Sequence, residues 1–364
     1  MKVTRRTVCG RWSVALIVSV VVAVCPIFAT ASPPSTAVEG PAADANQAAW
    51  EAFHQRDFPR CEQLAREAWQ LADADRDSLQ AAVAAANLAA AVAMRGRLDE
   101  ALEWSRRAEE RLGPEPQPLV RGRILVAQAI LQKVRGEDEA SEQAFRRARE
   151  ALGPEDWSLA FADALAQGYD WNDMDAAYRR LTALRDTARG SGDPKRAALA
   201  LLDLGWIEGV GGGLGAVRLF EEARSLFASS GQAAVLPIVD HNLGAVFLGA
   251  DRLGEAQTAF ERGLAAARAV HDRRLEVILL DDLSQLFSQK EDWPRAVAAD
   301  REAGAHLAAI VEDVRQGRLD DSLLLDLRRL LKARYVHKPQ LLPDLFLGLF
   351  EQLAVEPRVG GSGR

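Results

Sequence analysis

Several groups of residues in this 364-residue chain have types and spacings that could do chemistry. Gly209-Val210-Gly211-Gly212-Gly213-Leu214-Gly215-Ala216 holds a G-x-G-x-x-A pattern through Gly211, Gly213 and Ala216. In a dinucleotide fold such a run lays a pyrophosphate on a helix N-terminus, and it needs a strand before it and an acid about 20 residues on. Here Leu199 to Glu208 reads as a helix and no acid ends a second strand, so the run is expected to be a turn between helices. Cys61 could serve as a nucleophile or redox thiol. The pairs Glu221-Glu222 and Asp281-Asp282 could be cast as glycosidase carboxylates. Adjacent residues on a helix, however, point about 100° apart and do not face one substrate. The five histidines, His54, His241, His271, His306 and His337, show no metal-ligand spacing. No catalytic residue, metal or cofactor is therefore expected.

The elements that must position these residues follow from a repeat of 40 residues. Asn242-Leu243-Gly244, Phe247, Asp251, Leu253, Ala256, Phe260 and Gly263 recur as Asp282-Leu283-Ser284, Phe287, Glu291, Trp293, Ala296 and, at the Gly263 position, Ala303. Leu204-Gly205 leads in the same way to Ala216, Phe220 and Ala223, while Ala68, Ala108 and Ala148 are spaced by 40 twice over. Apolar residues at three- and four-residue spacing give each stretch one buried stripe, so each unit reads as two amphipathic helices joined by a tight turn. One such pair cannot bury its stripe alone, so the pairs must stack. A small residue recurs near the start of the second helix, at Cys61, Ala101, Ser141, Ala216, Ala256 and Ala296, where two backbones must approach closely. Cys61 therefore reads as a packed residue. Gly113-Pro114, Gly153-Pro154 and Asp193-Pro194 fall where helices should end. About seven pairs are expected over 45–316, with 155–189 the degenerate copy, and no sheet.

The Leu-Gly frame of the first helix with Ala then Phe in the second resembles the tetratricopeptide repeat family, over about 45–316, in a long variant; the family's own period is 34 residues. HEAT-like repeats share the longer period but not this frame. The resemblance implies an all-α, right-handed superhelical solenoid of stacked antiparallel helix pairs. It also implies that the polar residue before Leu-Gly, here Asn87, Asp203, Asn242 and Asp282, lines a concave groove and can hydrogen-bond a ligand backbone. His241 stands beside it. The competing reading is that these residues bridge neighbouring helices. The segment 317–355 reads as capping helices, with a faint likeness to the region that precedes caspase-like CHAT domains, and 356–364 as a disordered tail.

The N-terminus has its own logic. Lys2, Arg5, Arg6 and Arg11 precede an apolar run from Trp12 to Phe28, and Ala29-Thr30-Ala31 precedes Ser32. This is the pattern of a secretory signal over 1–31, cleaved between Ala31 and Ser32. An uncleaved membrane anchor is the alternative, since 17 residues is at the short limit for spanning. A twin-arginine route and lipidation at Cys25 fit less well. Ser32 to Asp44 reads as a flexible leader. Loss of 1–31 removes four basic residues and no acidic one, so 41 basic face 52 acidic residues and the charge moves from −7 to −11. Cys61 is then the last cysteine, and stability must come from packing alone. The acidity argues against nucleic-acid binding, which needs a basic face. The sequence points to an exported (periplasmic or extracellular) scaffold that binds a basic or neutral protein or peptide, with membrane contact only if the signal is retained. Alternatives are a cell-envelope hydrolase on an α/α toroid and the sensor part of a CHAT-like signalling system.

Overall fold

The computed structural model describes residues 40–316, apart from 55–56, 95–96, 114–116, 170–172 and 211, together with Leu327. The expected signal over 1–31 with its cleavage at Ala31 and Ser32, most of the expected leader, and the expected capping segment and tail lie outside the described residues. The chain divides into two compact units, residues 1–266 and 267–364.

Among the described residues there are fourteen α-helices, one 3-10 turn and no strand. In the first unit α1 (Pro41–His54) pairs with α2 (Phe58–Ala74), and α3 (Ser78–Met94) with α4 (Leu98–Leu112). Then come α5 (Pro118–Val134) with α6 (Asp138–Leu152), and α7 (Trp157–Tyr169) with α8 (Met174–Gly190). The series continues with α9 (Pro194–Val210) and α10 (Gly215–Ser229), then α11 (Leu236–Gly249) and α12 (Leu253–Ala269), whose last turn belongs to the second unit. The second unit contains α13 (Arg273–Gln289) packed on α14 (Trp293–Arg315). The fold is all-α, a tetratricopeptide-like series of helix pairs. One boundary differs from the sequence reading. Residues 41–44, assigned to the leader, already belong to α1, because Pro41 suits the first helical position. The stretch 155–189, expected as the degenerate fourth pair, forms α7 and α8. There Trp157 and Phe161 stack 4.8 Å apart, and the Trp157 indole donates to the Leu184 carbonyl, while Ala177 is buried at the small-residue step of α8.

First and second helices differ in kind. In α3, α9 and α11 apolar side chains point in nearly every direction and most residues are buried. Second helices such as α4 and α6 bury one stripe and expose charged residues on the other side, as expected of elements with one solvated face. The Leu-Gly frame has a steric cause. A Cβ on Gly244 would lie 2.4 Å from the ring of Phe260, and one on Gly205 would lie 2.9 Å from that of Phe220. Each glycine is the notch into which the second helix seats its phenylalanine.

One turn design joins most elements. The second residue after a helix adopts the left-handed conformation, and the following N–H reaches back to the helix, as Asp77 N–H does to the Ala72 carbonyl at 2.9 Å. Glycine fills the left-handed position at Gly136, Gly192 and Gly231, but Arg76, Asp251, His271 and Glu291 take it with φ of 57°, 59°, 56° and 58°. The next residue then caps the new helix. The carboxylates of Asp77, Asp193, Asp272 and Asp292 accept from the backbone N–H three residues on.

Candidate functional site

The glycine run is the connection from α9 to α10. The Gly213 N–H donates to the Glu208 carbonyl at 3.0 Å, and that of Gly212 donates to Gly209. A helix precedes it where a dinucleotide site needs a strand. Cys61 is buried, and burial, seconded by the carboxylates of Asp57 and Glu62, pushes its thiol up to about 12. Such a thiol stays protonated and is a poor nucleophile. Ala101, Ser141, Ala216, Ala256 and Ala296 are buried at the same step of their helices, and the Ser141 hydroxyl donates to the Ala129 carbonyl at 2.7 Å.

The acidic pairs do not converge. Glu222 pairs with Arg189 of α8, whereas Glu221 faces Arg262 of α12 at 3.5 Å. Asp281 accepts from Gln285, one turn along its own helix, while Asp282 is buried. The histidines are scattered as well. His271 occupies a turn, His306 lies 3.8 Å from Glu302 on its own helix, and His54 ends α1; His337 lies outside the described residues. Among the described residues no group of His, Cys, Asp or Glu is placed to hold a metal ion. No helix there is long and apolar enough to cross a membrane.

The polar slot before Leu-Gly behaves differently from the groove assignment. Asn87, Asp203, Asn242 and Asp282 are all buried, at 6%, 4%, 7% and 2% exposure. Asn87 shows why: its amide donates to the Asn46 side-chain oxygen at 3.2 Å, and Asn46 donates to the Gln80 carbonyl at 3.0 Å. Asn87 thus bridges α1 and α3, and the burial of all four residues turns the slot into the stack. His241 keeps partial exposure, with its ring 6.3 Å from that of Phe260.

What stays accessible lies a fraction of a turn away. Three residues after the slot, Ala90, Trp206, Ala245 and Gln285 are half-buried or exposed. In the first unit this extends to Leu79, Val83 and Met94 on α3, Val210 on α9, and His241 and Leu248 on α11. Sequence reasoning named His241 but missed most of this line because it followed hydrogen-bonding capacity. The signal was present in the periodicity, since a step of three residues turns the side chain by about 60°.

Charge is concentrated on the second helices, where it joins successive pairs. Arg66 of α2 bonds Glu100 of α4 at 3.0 Å, and Arg97, just ahead of α4, bonds Glu62 of α2 at 3.0 Å. Burial pushes the Glu100 carboxyl up, but hydrogen bonds from Arg97, Trp104 and Arg66 outweigh it and hold the group below the usual carboxylate range. Beside it Trp69 and Trp104 meet edge to face at 5.4 Å, with Arg107 over Trp104 and Arg111 over Trp69. Arg147 of α6 pairs with Glu109 of α4 in the same manner.

No family model matches the chain, and no curated protein matches it. Solved structures do. The chain is similar to the STAND signal-transduction ATPase with a tetratricopeptide repeat sensor from Pyrococcus horikoshii, at 17% identity with a TM-score of 0.54. That match covers 82% of this chain but 46% of the other, so the chain spans less than half of the ATPase. It is also similar to NprR, solved in complex with its cognate peptide NprX, at 11% identity with a TM-score of 0.51, covering 88% of this chain and 90% of that one. The shared feature is the helical-repeat fold. Neither neighbour supports a CHAT-type connection for the C-terminal segment.

Proposed function

We propose that this chain is an exported scaffold with no catalysis of its own, which binds a protein or peptide on the face made by its first helices. The observation that carries this reading is the fold shared with NprR, which was solved holding a peptide. The accessible line from Leu79 and Val83 to Trp206, His241 and Ala245 is the surface assigned to that partner. Trp206 offers the large amphipathic anchor that interaction sites favour. With an expected mature charge of −11, a basic or neutral partner is favoured, and the encounter weakens as salt rises. Cleavage after Ala31 places the chain outside the cytoplasm; a retained signal holds it at the membrane instead. N-terminal sequencing of the exported protein tests the cleavage. Binding is tested by capture from envelope extract with the wild-type chain beside Trp206→Ala and His241→Ala.

A further inference from the structure

The start of α11 differs from that of its neighbours. α3, α7 and α9 open on Asp77, Asp156 and Asp193, whose carboxylates accept from the backbone three residues on. α11 instead opens through the 3-10 turn Ala233–Val235, and Val235 has no polar side chain to offer. It is 14 residues long, against 17 in α3 and α9 and 13 in the Asp-capped α7. A helix of that length is marginal by itself and depends on its packing.

What fastens it is a charge cluster around one buried carboxylate, with its two arginines partly exposed. Asp240, fully buried on the second turn of α11, accepts through Oδ1 from Nε of Arg224 on α10 at 2.8 Å. The same oxygen accepts from Nε of Arg262 on α12 at 2.8 Å and Nη2 at 2.6 Å. Glu221 faces Arg262 from α10 at 3.5 Å. Both guanidiniums converge on one oxygen, and Oδ2 is buried without a hydrogen-bond donor. A buried carboxylate is retained only while its partners stay, because removing one leaves uncompensated charge in a poorly polar place.

We propose that α11 is a latched element: residues 233–249 open as a unit within the native protein, and the Arg224–Asp240–Arg262 clasp sets how often they do. His241 follows Asp240, and Ala245 and Leu248 lie on the same helix, so each opening removes part of the accessible line. That last consequence rests on the proposed binding face; the opening itself is measured with no partner present.

Hydrogen exchange read by mass spectrometry, across sub-denaturing urea, tests it. In the wild-type protein, peptides from 233–249 should exchange through openings with a weaker urea dependence than those of α9 and α10. Asp240→Asn should raise exchange in 233–249 at least tenfold while 41–210 is unchanged. The triple variant Asp240→Leu, Arg224→Met, Arg262→Met should restore wild-type protection or exceed it, since apolar packing can replace a buried ion cluster. Equal urea dependence for α9, α10 and α11 in the wild-type protein overturns the proposal, as does an Asp240→Asn effect spread evenly over the first unit. If Asp240→Asn does not fold, the wild-type urea dependence decides alone.

Discussion

Gly244 and Phe260 make the clearest case at the scale of single residues. The notch exists because the ring occupies the place of a Cβ, 2.4 Å from its ideal position. Gly244→Ala should therefore destabilise the protein by about 1–2 kcal/mol, overpacking outweighing the gain in helix propensity. Urea midpoints measure this, and Phe260→Leu in the same chain should recover part of the loss. Left-handed turn residues predict the opposite sign. Arg76→Gly and Glu291→Gly relieve a side chain held at positive φ and should each stabilise by about 1 kcal/mol. A destabilisation in either variant contradicts the turn geometry described above.

At the scale of elements, the helix pairs were legible in the sequence because their causes are local. Leu-Gly, the small residue of the second helix and the Asp caps such as Asp77 and Asp193 are all set by close approach or by backbone hydrogen bonds. The pair α7–α8 was harder to read, since Trp157 and Phe161 satisfy the same packing with different shapes. The orientation of Asn87 was not legible at all. A polar residue at that step can face a ligand or a neighbouring helix, and the choice depends on Asn46, 41 positions away. Junctions between second helices likewise come from long-range pairing, as at Glu100. Its folded pKa is lowered, so its contribution is present above the ordinary carboxylate range and is lost as pH falls through the folded value. Screening at this partly exposed site keeps that contribution to roughly 0.2–1 kcal/mol. Unfolding of Glu100→Gln followed against pH should show the wild-type advantage at neutral pH and its disappearance in acid; a constant difference contradicts the assignment.

For the molecule as a whole, the fold narrows function more than any single group does. The dinucleotide-like glycines close a helical turn, Cys61 fills a packing slot, and Glu221 and Glu222 serve helix junctions. Each of these is explained by the stack itself. What the stack leaves accessible is a line of apolar and small side chains on the first helices, with Trp206 and His241 as its largest members in α9 and α11. The most direct measurement is capture of a partner from envelope extract by residues 32–364, run beside Trp206→Ala and His241→Ala variants with unchanged circular dichroism and unfolding midpoint. The account predicts a reproducible protein or peptide partner whose recovery falls at least tenfold with either variant, about 1.4 kcal/mol of binding. No reproducible partner, or one retained equally by both variants, contradicts it.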